Sequence, residues 1–251
     1  MTPETADAVR AHALAEYPRE ACGLVVVVKG RERYYRCVNK ATTQSEHFII
    51  GADDYAFAED MGEITAVVHS HPDVAARASE ADRVGCEASG LPWYIASVIR
   101  DGDKLEVQEI GSITPEGYQA PLVGRTFHHG VLDCYSLIRD FYQRELGIEL
   151  PDFERRDNWW NSGENLYLDH FREAGCEPIT GPMQRGDIIL IQIRAPVPNH
   201  AAVYLGDGLI LHHLYGRLSS RDVYGSTMQE YTRLVVRHRD IGTADARKKE
   251  G

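Results

Sequence analysis

The sequence has no apolar segment long enough to cross a lipid bilayer. Its longest candidate, Gly23 to Val28, has the length of a strand, whereas a membrane-spanning helix needs about 20 apolar residues. The first residues, Met1 to Thr5, also lack the basic start and the apolar stretch of a secretory signal. These absences predict a soluble protein with no membrane-spanning segment and no signal peptide.

Cysteine and net positive charge are also scarce. The chain has 5 cysteines and no CxxC pair, and an odd number without that spacing argues against a disulfide framework and a cysteine zinc knuckle. A reducing compartment fits best. The formal net charge of -11 argues against a nucleic-acid partner, because phosphate binding needs a basic surface.

The first half of the chain has the pattern of a mixed α/β domain. Thr2 and Pro3 are typical of an N-cap and a first helical position, and apolar residues follow at helical spacing up to Pro18. Six short β-rich runs come next: Gly23–Val28, Tyr34–Val38, Phe48–Ile50, Ile64–Val68, Trp93–Ile99 and Leu105–Ile110. A stretch rich in Ser, Thr, Pro and Gly predicts a boundary near Pro115. We assign residues 1–115 to this first domain.

The second half places helices before strands. Helices are predicted from Cys134 to about Leu146 and from about Gly163 to Ala174. Strands are predicted at Ile188–Ile193, Ala201–Leu205, Leu209–His213 and Leu234–Arg237. We assign residues 116–240 to this domain and 241–251 to a flexible, polar tail. The fold class is α/β in the α+β sense, with two domains.

A metal site is predicted where an apolar strand ends in His69-Ser70-His71. In an extended chain, residues at i and i+2 point to the same side, so the two imidazoles are aligned. Asp82 lies in the first turn of a predicted helix and supplies a carboxylate. Two histidines and one carboxylate leave the fourth tetrahedral position open, as in a catalytic zinc site. Glu20, just before the first strand, is the candidate proton acceptor.

These residues resemble the motif of the JAMM (MPN-type) metallopeptidases: a glutamate before Cys-Gly and a strand, then His-Ser-His-Pro, then Ser-x-x-Asp. The resemblance spans about residues 1–110. It implies one zinc ion held by His69, His71 and Asp82, Glu20 as general base, and Ser79 as a donor to the oxyanion. Taken singly, Ser79-x-x-Asp82 is also an ordinary capping box, and a lone glutamate is also an ordinary solvated loop charge.

A thiol site is predicted around Cys134. The cysteine falls in the first turn of a helix, where unpaired N–H groups and the helix dipole favour thiolate; a buried structural cysteine is the alternative. A base is available in the predicted hairpin that begins at His200 and turns at Gly206-Asp207-Gly208. A three-residue loop puts His212 on the face of His200, whereas a two-residue loop substitutes His213.

Asp133-Cys134 at a helix start, a Gly-Asp turn entering a strand, then His200-x-x-x-Tyr-x-Gly and a histidine twelve residues on resemble the NlpC-type, papain-like cysteine peptidases. The resemblance spans about residues 118–236. It implies Cys134 as nucleophile, His200 as base, His212 as the orienting residue and peptidoglycan stem peptides as substrate. Two departures are Tyr135 in place of the usual serine, and Phe127 in place of an expected tyrosine.

The two domains in this order resemble tail-tip assembly proteins of long-tailed bacteriophages. This resemblance implies partners among phage tail-tip proteins, a location in the bacterial host cytoplasm during assembly and at the virion tail tip, and peptidase action in tail assembly or wall opening during genome entry. One alternative is a structural tail component whose sites are vestigial. Another is a bacterial peptidase that removes ubiquitin-like tags or recycles wall peptides.

Overall fold

The computed structural model describes residues 1 to 242. The chain forms two compact units, divided after Gln119. Each unit combines helices with a sheet, which confirms the predicted α/β fold class. Of the predicted tail at 241–251, every position from 243 on lies outside the described residues. Within residues 1 to 242, no helix has both the length and the apolar character needed to cross a membrane.

The first unit is built on a five-stranded sheet of order β2-β1-β3-β4-β5. β3 and β4 run parallel, and the other neighbours run antiparallel. The elements are α1 (Pro3–Glu16), β1 (Cys22–Val28), β2 (Arg31–Cys37), α2 (Ala52–Met61), β3 (Glu63–Pro72), α3 (Glu80–Ser89), β4 (Trp93–Asp101) and β5 (Lys104–Ile113). As predicted, Thr2 caps α1, and its side chain accepts a hydrogen bond from the Thr5 N–H.

This sheet is covered on both faces. Val25 packs with Val9 of α1 on one face, whereas Leu24 packs with Ala58 of α2 and Cys86 of α3 on the other. Because successive strand residues point to opposite faces, the unbroken apolar run of β1 is needed to fill two cores. The histidines of β3 belong to the face that α3 covers, which brings α3 within reach of them.

The second unit has a six-stranded antiparallel sheet of order β10-β9-β8-β7-β11-β6. The helices are α4 (Cys134–Phe141), which continues as a π-helical turn (Tyr142–Leu146), a 3-10 turn (Trp159–Asn161), α5 (Leu166–His170) and α6 (Ser226–Tyr231). The strands are β6 (Cys176–Pro178), β7 (Ile188–Ile191), β8 (His200–Gly206), β9 (Leu209–His212), β10 (Ser220–Val223) and β11 (Thr232–His238).

Helix α4 is anchored to the middle of this sheet. Leu137, Ile138 and Phe141 are fully buried and pack with Ala201 and Val203 of β8. Burial of three such side chains stabilises the contact by about 5 to 8 kcal/mol before entropy is counted. The first turn of α4 is thereby held against the start of β8.

Some predicted elements were wrong. Phe48–Ile50 is not a strand; the segment makes a single bridge, between Asn39 and Ile50. The predicted helix from Gly163 to Ala174 shrinks to α5, and the residues that follow it, 171–175, form turns. The strands β6 and β10 were not predicted, since they are short and lie at sheet edges.

Candidate active sites

Three side chains of ligand type converge at the carboxyl end of β3. The Nε2 atoms of His69 and His71 are 3.0 Å apart. Asp82, from the first turn of α3, places Oδ1 3.1 Å from the His69 Nε2 and Oδ2 3.4 Å from the His71 Nε2. All three residues are buried, and their ligand atoms lie within 4.8 Å of one another. One ion can therefore contact all three.

The protonation pattern of this cluster suits a metal cation. The His71 Nδ1 lies 3.2 Å from the Ala75 carbonyl oxygen, which can only accept, so in the neutral imidazole Nδ1 carries the proton and Nε2 presents a lone pair. Burial lowers the pKa of His69, which favours its neutral form. Burial acts the same way on His71, but Asp82 and Glu20 outweigh it and raise the pKa of that imidazole. Burial opposes ionisation of Asp82, but contact with the two imidazoles holds the pKa of that carboxyl far below its usual range. A carboxylate with two imidazoles that can present Nε2 lone pairs to a cation is a donor set that fits zinc.

Glu20 lies beside this cluster. In the antiparallel pairing of β1 with β3, Cys22 faces His69, and two residues earlier the chain brings Glu20 to the level of His71 on the same face. The Ala21 N–H donates to Ser70 Oγ at 2.8 Å and fixes this approach. Glu20 is 6% exposed. Burial raises its pKa to about 8, and the charge of Asp82 acts in the same direction.

Ser79 is the N-cap of α3. Its Oγ accepts from the Asp82 N–H at 3.1 Å, and its own N–H donates to the Asp82 Oδ2 at 2.7 Å. The capping box that the sequence left open as an alternative is thus present. A hydroxyl that accepts one hydrogen bond can still donate another. The capping box also fixes the Asp82 carboxylate at the cluster.

Two structural supports of the cluster carry no sequence signal. The Phe48 ring stacks on His69 with centroids 4.6 Å apart, and Trp93 meets the same imidazole edge-on. The loop after β3 packs on Gly111 of β5, where an added Cβ would lie 2.4 Å from the Ala76 carbonyl oxygen. Gly111 therefore lets the loop approach closely enough for the Ala75 carbonyl oxygen to contact and orient His71.

Cys134 is the first residue of α4, directly after the N-cap Asp133. The Asp133 carboxylate accepts from the Ser136 N–H at 2.9 Å and from the Arg155 Nε at 2.7 Å. Burial works against this charge, but Arg155 and the Ser136 N–H lower the pKa of Asp133 to about 2. A buried ion pair thus fixes the start of the helix that carries the thiol.

The thiol of Cys134 is enclosed. Its Sγ lies 3.1 Å from the Tyr167 hydroxyl oxygen and accepts from the N–H of Ala201, the residue after His200 in β8. Burial and the Asp133 charge raise the pKa of Cys134 to about 11, although the Tyr167 contact acts in the opposite direction. Cys134 is therefore a neutral thiol in this arrangement.

The hairpin β8–β9 resolves the two loop alternatives in an unexpected way. Gly206 pairs with Leu209, which is the two-residue turn, but a bulge follows and Tyr204 pairs with Ile210. Because Leu205 is the bulged residue, the pairs beyond it are those expected for a three-residue loop, with Tyr204 opposite Ile210. His212 then pairs with Ala202 and lies diagonal to His200 on one face.

The two histidines are in contact. The His200 Nε2 is 3.2 Å from the His212 Nδ1, and burial, followed by the charges of His212 and His213, lowers the pKa of His200 to about 3. His213, the rejected alternative, lies on the other face with its Nε2 3.2 Å from the Arg217 carbonyl oxygen. Phe127 packs edge-on against His213.

Sequence reasoning missed two polar neighbours of the thiol site. Tyr167 supplies a hydroxyl at Cys134 from a position 33 residues downstream. Asp222 of β10 places Oδ2 2.7 Å from the His212 Nε2. No local pattern identifies either residue, since both arrive through tertiary structure.

Family models match both units. The model of prokaryotic homologs of the JAB domain matches residues 2–110, and the model of the NlpC/P60 family matches residues 124–237. The predicted resemblances to JAMM-type and NlpC-type proteins are thereby confirmed. NlpC/P60 is a cysteine peptidase family, and JAB domains are often metallopeptidases.

Relatives of known name cover most of the chain. The tail tip assembly protein K of Escherichia phage N15 is 41% identical over 99% of this chain and 100% of its own length. The protein of the same name from Escherichia phage lambda is 44% identical over 74% of this chain and 88% of its own. A protein of solved structure from Desulfitobacterium hafniense is 23% identical over 46% of this chain and 89% of its own length, with a TM-score of 0.35.

Proposed function

We propose, because the chain belongs to the tail tip assembly protein K family, that it is a bifunctional peptidase of a bacteriophage tail tip. One site is a zinc-dependent peptidase or isopeptidase, and the other is a cysteine endopeptidase that cleaves peptidoglycan stem peptides. Its partners are other tail-tip proteins, met in the host cytoplasm during assembly and retained in the virion tail tip. Cleavage then serves tail assembly, local wall opening during genome entry, or both.

The zinc half of the proposal rests on the convergence of three ligand atoms within 4.8 Å. His69 and His71 would bind the ion through Nε2, and Asp82 through a carboxylate oxygen. When bound, zinc supplies Lewis-acid polarisation of a substrate carbonyl. Glu20 accepts a proton from the attacking water at its carboxylate and returns it to the leaving amine, for which a pKa near neutrality is well suited. Ser79 Oγ–H is the proposed donor to the developing oxyanion.

Elemental analysis of the purified full-length protein tests this site. We expect about one zinc per chain, lost in His69→Ala because two ligands no longer hold the ion. His170→Ala is the matched control, since this histidine pairs with Glu173 at the surface of the second unit. Wild-type protein that stays metal-free after zinc addition, or equal zinc in both variants, would rule out the site.

The thiol half rests on the contact of Cys134, the first residue of α4, with the N–H of Ala201, which follows His200 in β8, and on the contact of His200 with His212 at the end of β9. His200 accepts the proton of the thiol, and the Cys134 sulfur then forms a bond to the carbonyl carbon of the peptide. Burial in an apolar site removes competing water from this step. Because both groups are neutral when no substrate is bound, we propose that proton transfer to His200 accompanies attack by the sulfur.

Purified peptidoglycan incubated with the full-length protein tests the second activity. Wild type should release stem-peptide fragments that mass spectrometry identifies, and Cys134→Ser should release none. Cys176→Ser is the matched control, because this cysteine is also buried in the second unit but lies in the apolar core. Equal release by wild type and Cys134→Ser would contradict the cysteine mechanism.

A second candidate function is a tail structural component whose thiol site is vestigial. The observation in its favour is the buried, hydrogen-bonded thiol, whose pKa of about 11 leaves almost no thiolate at neutral pH. Fragment release that depends on Cys134 excludes this candidate. Normal tail assembly by Cys134→Ser, together with wild-type protein inert on peptidoglycan, supports it.

A further inference from the structure

A chain of hydrogen bonds leads away from the thiol site to the edge of the sheet. The His200 Nε2 is 3.2 Å from the His212 Nδ1, and the His212 Nε2 is 2.7 Å from an Asp222 carboxylate oxygen. Ser220 Oγ donates to the same carboxylate oxygen at 2.8 Å. The two histidines are buried, whereas the Asp222 side chain is about half exposed, at 52%.

Strand register explains why Asp222 reaches His212. Ser220 pairs with His212 in the antiparallel β9–β10 ladder, and Asp222 lies two residues further on, on the same face. Paired and diagonal residues of adjacent strands are close enough for side-chain contact. Arg221, between them, points to the opposite face. Asp222 of the edge strand β10 therefore lies where its carboxylate contacts the Nε2 of His212.

The carboxylate determines which nitrogens carry protons. A carboxylate only accepts hydrogen bonds, so the His212 Nε2 must carry a proton. In its neutral form His212 then has a lone pair at Nδ1, which accepts from the His200 Nε2–H. His200 is left with its lone pair at Nδ1. Without the Asp222 carboxylate, His212 is able to adopt the reverse tautomer. In that tautomer the His212 Nδ1–H donates to the His200 Nε2, and the His200 proton lies at Nδ1.

We propose that Asp222 is a positioning residue that fixes the tautomer of His212 and, through it, keeps the His200 Nδ1 free to act as the base. The rate consequence rests on the proposed peptidase function. The thiol S–H bond breaks, an N–H bond forms at the His200 Nδ1, and the sulfur electron pair bonds to the substrate carbonyl carbon while the C=O π pair moves to oxygen. When that pair returns, the C–N bond breaks and the leaving amine takes the proton from the His200 Nδ1. The Asp222 carboxylate, at the far end of this series of hydrogen bonds, then stabilises the positive charge that His200 gains.

The charges around these hydrogen bonds are consistent with a positioning role for Asp222. Hydrogen bonds from His212 and Ser220 lower the pKa of Asp222, and the nearby Arg217 acts in the same direction, so the carboxylate stays ionised. His213 bonds to a backbone carbonyl and does not enter the chain. An exposed acid keeps its solvation, so this charge carries a smaller desolvation cost than a buried one.

Nitrogen-15 NMR of the imidazole rings in the full-length protein tests the proposal directly. Wild type should show His200 protonated at Nε2 and unprotonated at Nδ1. In Asp222→Ala the assignment should become mixed or reversed, and Asp222→Glu should restore it because a carboxylate is again available. Glu149→Gln, which removes an exposed acid elsewhere in the unit, is the control and should match wild type. An unchanged His200 tautomer in folded Asp222→Ala would overturn the proposal.

Kinetics give a second readout. We expect Asp222→Ala to lower kcat on stem peptides by roughly 10- to 100-fold with KM little changed. This is less than the roughly 10⁴-fold loss seen when an acid in direct contact with a catalytic histidine is altered. A change confined to KM would contradict a positioning role. If wild type cleaves no peptidoglycan while the tautomer pattern depends on Asp222, the proposed function fails and the tautomer assignment stands.

Discussion

Replacing Asp133 by asparagine should destabilise the second unit through its buried ion pair. Asp133 and Arg155 are 3% and 7% exposed at their side chains, with Nε to Oδ2 at 2.7 Å. Asparagine is nearly isosteric and is also a good N-cap, so the helix cap is kept while the charge is lost. The substitution keeps the cap but removes the charge, and an amide nitrogen replaces the oxygen that accepts from the Arg155 Nε and the Gly130 N–H, so the measured loss includes these two hydrogen bonds.

The size of the effect follows from the pKa of this carboxyl. The drop from 3.8 to about 2 corresponds to about 2 kcal/mol, at 1.36 kcal/mol for each pKa unit. Leaving a buried cation without its partner costs about 3 to 5 kcal/mol in general. Arg155 keeps its contacts with Asp152 at 2.8 Å and with the Gly130 carbonyl oxygen at 2.9 Å. We therefore expect the free energy of unfolding to fall by about 2 to 3 kcal/mol, near the lower of the two estimates.

Urea unfolding followed by tryptophan fluorescence measures this loss. A Trp93→Phe background leaves only Trp159 and Trp160, both in the second unit. Asp152→Asn is the matched control, because Asp152 contacts the same guanidinium at a similar distance but is 54% exposed. We expect that exposed pair to contribute less than about 1 kcal/mol.

The pH dependence provides a sharper check. Because the folded-state pKa is depressed, the contribution of Asp133 is fully present above the unfolded value of 3.8 and is lost as pH falls through about 2. The difference between wild type and Asp133→Asn should therefore be constant above about pH 5 and about half as large at pH 3. A difference below about 0.5 kcal/mol at pH 7, or one that does not shrink in acid, would show that the Asp133–Arg155 pair does not stabilise the unit through its charge.

Three further variants test the two sites. Deleting Leu205 removes the hairpin bulge but leaves Tyr204 opposite Ile210 and Ala202 opposite His212, so release of peptidoglycan fragments should persist; loss of release in a folded variant would show that the bulge itself positions the histidines. Tyr167→Phe removes a hydrogen bond that lowers the pKa of Cys134, so alkylation at pH 8 should slow; faster alkylation would mean that the hydroxyl mainly shields the thiol. Gly111→Ala pushes on a carbonyl oxygen 2.4 Å from the added Cβ and should weaken zinc affinity by roughly 10- to 100-fold through the displaced outer contact; Gly51→Ala, with no neighbour closer than 3.5 Å, should bind zinc normally.

The residues of the metal cluster could be proposed from sequence because their geometry is local. His69 and His71 share a face through strand alternation, and Asp82 follows within one turn-and-helix segment. The capping box contains the Asp82 carboxylate, so one short motif encodes both the helix start and the position of the oxygen beside the two histidines. What could not be predicted were the aromatic contacts of His69, since Phe48 comes from a segment expected to be a strand.

The thiol site depends on long-range structure and was less predictable. Loop-length rules offered His212 or His213, and neither rule alone describes a two-residue turn followed by a bulge. Bulges depend on local packing and twist, which sequence periodicity does not report. Tyr167 and Asp222 come from segments 33 residues beyond Cys134 and 10 residues beyond His212. Tyr167 lies in α5 and Asp222 in β10, so only the folded unit brings them to the site.

The two sites share one construction, a strand that presents histidines beside a helix whose first turn is closed by a capping box. The carboxylate of that box has opposite electrostatic effects in the two units. In the first it is Asp82, whose charge favours a cation. In the second it is Asp133, whose charge raises the pKa of the adjacent thiol, while Arg155 lowers it. The buried ion pair therefore lets the helix keep an acidic cap next to a thiol, which couples the stability of this unit to the pKa of Cys134.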